Sequence, residues 1–167
     1  MSSPLDRYEE KLAVMTLIKD KTTRETEPYQ HTQIGYAIII LFALIEVGSI
    51  GAYIRLRDPG PLLVFLLISL VETIFFSLTV TVNEAAVRLR FGIGLIRKTI
   101  PLRDVTACFP VRNSPLCGWG IRYIGGGWLY NVSGLDAIEV TLRDGRKIRI
   151  GTDDPQGLMQ AIQNGKQ

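Results

Sequence analysis

Histidine occurs once in this chain of 167 residues, at His31, and cysteine twice, at Cys108 and Cys117. So few donors exclude a zinc or haem centre and a disulfide scaffold as organising features. No serine or cysteine stands in a recognisable hydrolase motif with histidine or a second acid, so catalysis is not expected, and neither are a metal or a cofactor. Basic runs interleaved with exposed aromatics are missing as well, which argues against nucleic acid. Charge is scarce in one long stretch: residues 34–82 carry two basic and three acidic side chains. With 47% apolar residues and a mean hydropathy of +0.19, the apolar side chains must sit in blocks rather than spread over a patterned core. The length allows one ordinary domain and something smaller beside it.

The blocks are explicit. Ile34 to Ile54 reads IGYAIIILFALIEVGSIGAYI, with one charge, long enough at 1.5 Å per residue for a hydrocarbon core of about 30 Å. A second block reads PLLVFLLISLVETIFFSLTVTV from Pro61, and Pro61 suits a first helical turn. The expectation is two transmembrane helices, about 34–54 and 61–79 within a membrane segment 34–82, joined by a turn ending in Asp58-Pro59-Gly60. The first apolar block lies too far into the chain for a signal peptide and lacks a cleavage pattern. Two spans put both termini on one side. The basic residues flanking that side include Lys19, Lys21, Arg24, Arg88, Arg90, Arg97 and Lys98, against Arg55 and Arg57 in the turn. The positive-inside count thus predicts a multi-pass protein of the inner (plasma) membrane with cytoplasmic termini.

Two acids interrupt these blocks. A carboxylate at mid-bilayer costs at least about 2.5 to 3.5 kcal/mol, so Glu46 and Glu72 should avoid lipid. Counted from the turn, their depths agree within about one helical turn, so they could share a site. Two readings stay open: a proton or cation site of a small transport component, or carboxyls bonded to Ser49, Ser69 or Thr73 that hold helices together. Gly48 and Ala52 offer a small-residue face for close packing.

After Phe76 the period changes. Ser77 to Val82 alternates polar and apolar, as do Ala86 to Phe91 and Leu95 to Ile100, with breaks at Asn83-Glu84 and Gly92-Ile93-Gly94. Another strand is expected around Val105 to Val111, and one or two in GWGIRYIGGGWLYNV. A hairpin joins Ala137–Leu142 to Arg146–Ile150 through Arg143-Asp144-Gly145. Asp154, Pro155, Leu158, Met159 and Ile162 predict a closing helix. The glycine-rich 118–127 stretch matches neither phosphate-loop pattern and reads as a β-loop. Residues 1–33 read as a cytoplasmic segment, with Leu5, Tyr8, Leu12 and Met15 at helical spacing, or a strand over Leu12–Ile18, before a polar linker from Thr22 to Gln33.

In its strand count, in FGIGLIRKTIPLRDV and in DGRKIRIGTDDPQGLMQAI, the region of roughly residues 77–164 resembles the bacterial pleckstrin-homology-like (PH-like) domains attached to small membrane proteins. The resemblance implies an α+β chain in which the membrane hairpin precedes a PH-like antiparallel β-barrel (77–167) of about seven strands with a C-terminal capping helix. It implies binding of lipid or protein rather than an activity. The phosphoinositide-binding pattern is met by Arg88-Leu89-Arg90 but not by the preceding turn, where Glu84 is acidic.

Residues 83–167 carry twelve basic and seven acidic side chains, a net of +5, against −1 for residues 1–33 and −1 for 34–82. Arg88, Arg90, Arg97, Lys98, Arg103, Arg112 and Arg122 are therefore candidate contacts to anionic headgroups or a partner, against the plain reading of a solvated sheet face. The expected partners are membrane lipids, further copies of the chain or other membrane proteins. Nucleic acid is not among them, and no small-molecule substrate is identified. The function expected is binding or scaffolding at the membrane, with the proton-linked reading of Glu46 and Glu72 as its competitor.

Overall fold

The computed structural model describes residues 28–166 together with residues 9, 11, 12 and 14–16. Its first strand, β1 (Tyr29–Ile34), lies in what the sequence reads as linker. Two apolar helices follow, α1 (Tyr36–Leu56) and α2 (Gly60–Phe75), and the chain then returns as β2 (Ser77–Val82). β2 pairs antiparallel with β1, Ile34 opposite Ser77 and Tyr29 opposite Val82. The helices are thus an insertion in a β-hairpin, closed at its root by the Gly35 N–H donating to the Phe76 carbonyl at 2.8 Å.

The sequence masks β1 because YQHTQI has no apolar alternation. Its place comes from pairing with β2 and from two anchors. Tyr29 Oη donates to Asp154 Oδ2 at 3.1 Å, and His31 contacts Asp153. Burial, together with the neighbouring Asp154 charge, raises the Tyr29 phenol above its ordinary value, so it stays protonated and able to donate.

β3 (Ala86–Phe91) and β4 (Arg97–Pro101) complete a four-stranded sheet of order β1-β2-β3-β4. A 3₁₀ turn at Leu102–Asp104 redirects the chain into β5 (Val105–Arg112), which opens a second sheet with β6 (Gly120–Tyr123), β7 (Gly127–Asn131), β8 (Asp136–Leu142) and β9 (Lys147–Gly151), ordered β5-β8-β9-β7-β6. β7 and β9 run parallel. The terminal helix α3 (Pro155–Asn164) is capped by Asp154, which accepts from the Gly157 N–H at 2.9 Å. One core joins all of this: Leu78, Val80, Leu89 and Phe91 from the first sheet meet Tyr130, Ile138, Val140 and Ile150 from the second, with Leu158 and Ile162 of α3.

Three expectations are corrected. The β region is not a closed antiparallel barrel of about seven strands. It is two sheets of four and five strands, one of them mixed, because β5 pairs with β8 rather than with β4 and leaves sheet edges unjoined. The two-helix transmembrane hairpin is not what forms either. α2 ends at Phe75, since Ser77 to Val82 is taken into the sheet, and its 16 residues rise about 24 Å against a hydrocarbon core of about 30 Å. Among the described residues only α1 is long and apolar enough to cross a bilayer. The multi-pass inner-membrane placement with cytoplasmic termini, which rested on two spans, falls with it. Of the N-terminal segment, Leu12 and Met15 are helical and exposed, while Leu5 and Tyr8 lie outside the described residues.

The helical pair leaves most of its apolar side chains uncovered, Ile40, Leu44, Val47, Leu63, Leu66 and Leu70 among them. A soluble monomer rarely exposes so continuous an apolar surface.

Candidate functional site

The outer face of the first sheet follows from strand periodicity and register. Alternation turns Arg88 and Arg90 of β3 outward while Val87, Leu89 and Phe91 enter the core. Pairing then sets two rows across the sheet: Thr32, Thr79, Arg90 and Arg97, and next to it Gln30, Thr81, Arg88 and Thr99. Together these rows bound a shallow groove of about 330 Å³ lined by Gln30, Thr79, Thr81, Arg88, Arg90, Arg97 and Thr99, with Leu89 between the two β3 arginines.

The charge in this groove has one sign. Its lining contains no carboxylate, and among the described residues no acid forms an ion pair with Arg88, Arg90 or Arg97. Arg90 and Arg97 stand directly opposite each other across the strands, an arrangement that costs stability through like-charge repulsion and that an anion would relieve. Arg97 is held in place by its Nε, which donates to the Gly94 carbonyl at 2.7 Å. Thr79 is tied by a hydroxyl–hydroxyl hydrogen bond to Thr32 at 2.9 Å. Guanidinium forks flanked by hydroxyls form the donor set that phosphate oxygens accept from.

The other basic candidates do not join the groove. Lys98 lies opposite Leu89 and so belongs to the other face of the sheet. Arg103 sits at the far end of the domain beside Asp104, at 3.9 Å. Arg112 lies opposite Asp136 in the second sheet, and the Arg122 guanidinium folds back to donate to the Trp119 carbonyl at 3.0 Å. Sequence reasoning missed Gln30, Thr79, Thr81 and Thr99; the alternation of β2 carried a signal for the threonines, whereas Gln30 depended on recognising β1.

Glu46 and Glu72 lie one on each helix of the apolar pair. Glu46 of α1 accepts from Ser69 Oγ of α2 at 2.5 Å, while Thr73 donates to the Ser69 carbonyl and Ser49 to that of Ile45. For Glu72 no side-chain hydrogen bond is found among the described residues. A Cβ on Gly48 would meet nothing within 4 Å, so this glycine does not serve the contact between the two helices.

In the second sheet, Gly125–Gly127 border a recess of only about 60 Å³ with Glu139, Lys147 and Arg149. Lys147 Nζ and Arg149 Nε reach Glu139 at 2.8 and 2.7 Å. The hydrogen bond from Lys147, then that from Arg149, outweighs burial and holds the Glu139 carboxyl below the usual carboxylate range of about 4. A depressed pKa contributes stability that is present above the unfolded value and is lost as pH falls through the folded one. Urea midpoints of the full chain should therefore drop as pH is lowered from about 5 to about 3. In Glu139→Gln the drop should be smaller, and an unchanged pH slope would exclude Glu139 as its source. Cys108 and Cys117 are free, and burial raises the Cys108 thiol. Among the described residues no group of three histidine, cysteine or acidic side chains forms a metal site.

In comparisons with known proteins, no family model, no curated protein and no solved structure matches the chain.

Proposed function

We propose that this chain is a membrane-associated, non-catalytic binding module whose β domain holds phosphate-bearing lipid headgroups in the arginine groove of its first sheet. The observation that carries this reading is the cluster of Arg88, Arg90 and Arg97, with no carboxylate in its lining among the described residues, on strands rooted at the helical pair. The uncovered apolar surface of α1 and α2 supports lipid as their surroundings, and α1 has the length to cross. Each arginine near an anionic surface is worth about 1 kcal/mol, so three give roughly a hundredfold preference for anionic over zwitterionic lipid, weakening with salt. Glu46 fits a structural part in this scheme, because its carboxylate is engaged by Ser69.

The test uses the full chain in nanodiscs of phosphatidylcholine with a minority of phosphatidylglycerol, released and weighed with its retained lipids by native mass spectrometry. Phosphatidylglycerol should be enriched on the wild type, and Arg88→Gln/Arg90→Gln/Arg97→Gln should lose most of that enrichment. Inorganic phosphate should compete if the groove reads phosphate alone and should not if it requires the lipid surface. Equal enrichment on the triple variant would overturn the assignment to this groove.

A further inference from the structure

The turn between β3 and β4, Gly92-Ile93-Gly94-Leu95, is chemically unlike an ordinary turn. Ile93 and Leu95 are 60% and 67% exposed, where turns ordinarily carry small or polar side chains. Gly92 and Gly94 have φ of +44° and +90°, which sets the two aliphatic side chains outside the core that Phe91 enters.

The location of this turn is tightly determined. The Gly92 N–H donates to the Ser77 carbonyl at 2.9 Å, and a Cβ on Gly92 would lie 2.4 Å from the Thr73 carbonyl oxygen and 2.6 Å from that of Ile74. The turn therefore abuts the last turn of α2, at the root of the helical pair. Across that root the second sheet presents a matching feature. The 114–119 loop leaves from Asn113, whose N–H donates to the Leu135 carbonyl at 2.7 Å, and ends at Gly120, opposite Asn131. The neighbouring Val132 carbonyl lies 3.0 Å from a Cβ placed on Gly35, where α1 begins. That loop exposes Leu116 almost fully, at 93%, and Trp119 in part.

We propose that the β3–β4 turn is a wedge that enters the boundary between lipid headgroups and acyl chains, with Ile93 and Leu95 in the apolar layer and Arg90 and Arg97 behind them at the phosphates. This rests on the headgroup reading above and adds a depth and an orientation to it. The occupant is lipid rather than protein because the wedge is continuous with the apolar surface of the helical pair and, among the described residues, the charged side chains behind it, Arg90 and Arg97, are cations. Tryptophan across the root suits the same boundary, where its ring is half solvated. The domain would then stand on the bilayer by its root, with the groove facing the headgroup layer.

The experiment places a reporter at the wedge in the full chain. In a Trp119→Phe/Trp128→Phe background, Ile93→Trp and Leu95→Trp are compared with Thr106→Trp, an exposed position on β5 next to the turn that leads out of β4. Vesicles of phosphatidylcholine and phosphatidylglycerol carry bromine high on their acyl chains, and acrylamide serves as the aqueous quencher. Tryptophan at 93 and 95 should be quenched several-fold more by the brominated lipid than tryptophan at 106, with the order reversed for acrylamide. Acrylamide quenching at 93 and 95 equal to that at 106 overturns the wedge, and if phosphatidylglycerol enrichment persists in that case, the headgroup reading survives alone. Protection at 93 and 95 from both quenchers also overturns it, and identifies a second copy or another protein as the cover. Lipid quenching that persists without phosphatidylglycerol supports the wedge even if the arginine groove fails.

Discussion

Replacing Phe91 by alanine is expected to cost about 3 to 5 kcal/mol of stability, a large share of what a domain of this size possesses. Phe91 ends β3 with 1% of its surface exposed. Its ring meets Phe75 of α2 edge-on at 5.5 Å between centroids and Tyr130 of β7 at 6.3 Å, so one side chain links the helical pair, the first sheet and the second. Truncation removes the transfer energy of the ring and leaves a cavity whose walls come from three elements, which limits how far they can collapse. The measurement is urea unfolding of the full chain in mild detergent, followed by tyrosine and tryptophan fluorescence. With a urea slope of about 1 to 3 kcal/mol per molar, the midpoint should fall by at least about 1 M. A loss under about 1 kcal/mol would mean that the helix root and the two sheets are not joined through this ring.

Gly92→Ala should be of similar severity for a different reason. Its φ of +44° costs an L-residue about 1 to 2 kcal/mol. The added methyl would also collide with two backbone carbonyls, those of Thr73 and Ile74, which cannot rotate aside as a side chain can. Overpacking of this kind adds about 1 to 3 kcal/mol, for a total of about 2 to 5. Gly125 separates the two contributions, because its φ of +47° is similar while a Cβ there would meet nothing within 4 Å. Gly125→Ala should therefore lose only the strain. Equal losses at the two positions would show that the turn is not packed against α2. In the surviving folded fraction of Gly92→Ala, the turn carrying Ile93 should be displaced from the helix root, which links this stability measurement to the quenching experiment.

The individual elements differ in how much of their place the sequence carried. α1 was legible from its apolar run, because hydrophobic length is a local property. Ser77–Val82 and Ala86–Phe91 were legible from period-2 alternation, and the Asp144-Gly145 turn from its backbone preference. β1 was not, since backbone hydrogen bonding to β2 is indifferent to side-chain type and an edge strand can be polar. The end of α2 was misplaced because an apolar run reads alike whether its last residues stay helical or enter a sheet. Depth arithmetic places Glu46 and Glu72 within about one helical turn of each other, and the partner of Glu46 is Ser69, one turn further toward the loop than Glu72. Residue spacing gives rise along a helix but not the rotation of one helix about the other.

For the groove, the sequence by itself determined that Arg88 and Arg90 share a face of β3 and that Leu89 opposes them, because alternation follows from strand geometry alone. It also determined the apolar character of the helical pair and the positive balance of the chain after it. The tertiary structure decided the rest. Register between β3 and β4 brought Arg97 to Arg90 and sent Lys98 to the other face, since a shift of one residue exchanges the faces of a strand. Pairing of β1 with β2 supplied Gln30 and Thr32 from the other side of the helical insertion. Closure of the hairpin at Gly35 and Phe76 set the wedge and the groove beside the helices, through contacts between residues distant in the chain that no local pattern encodes.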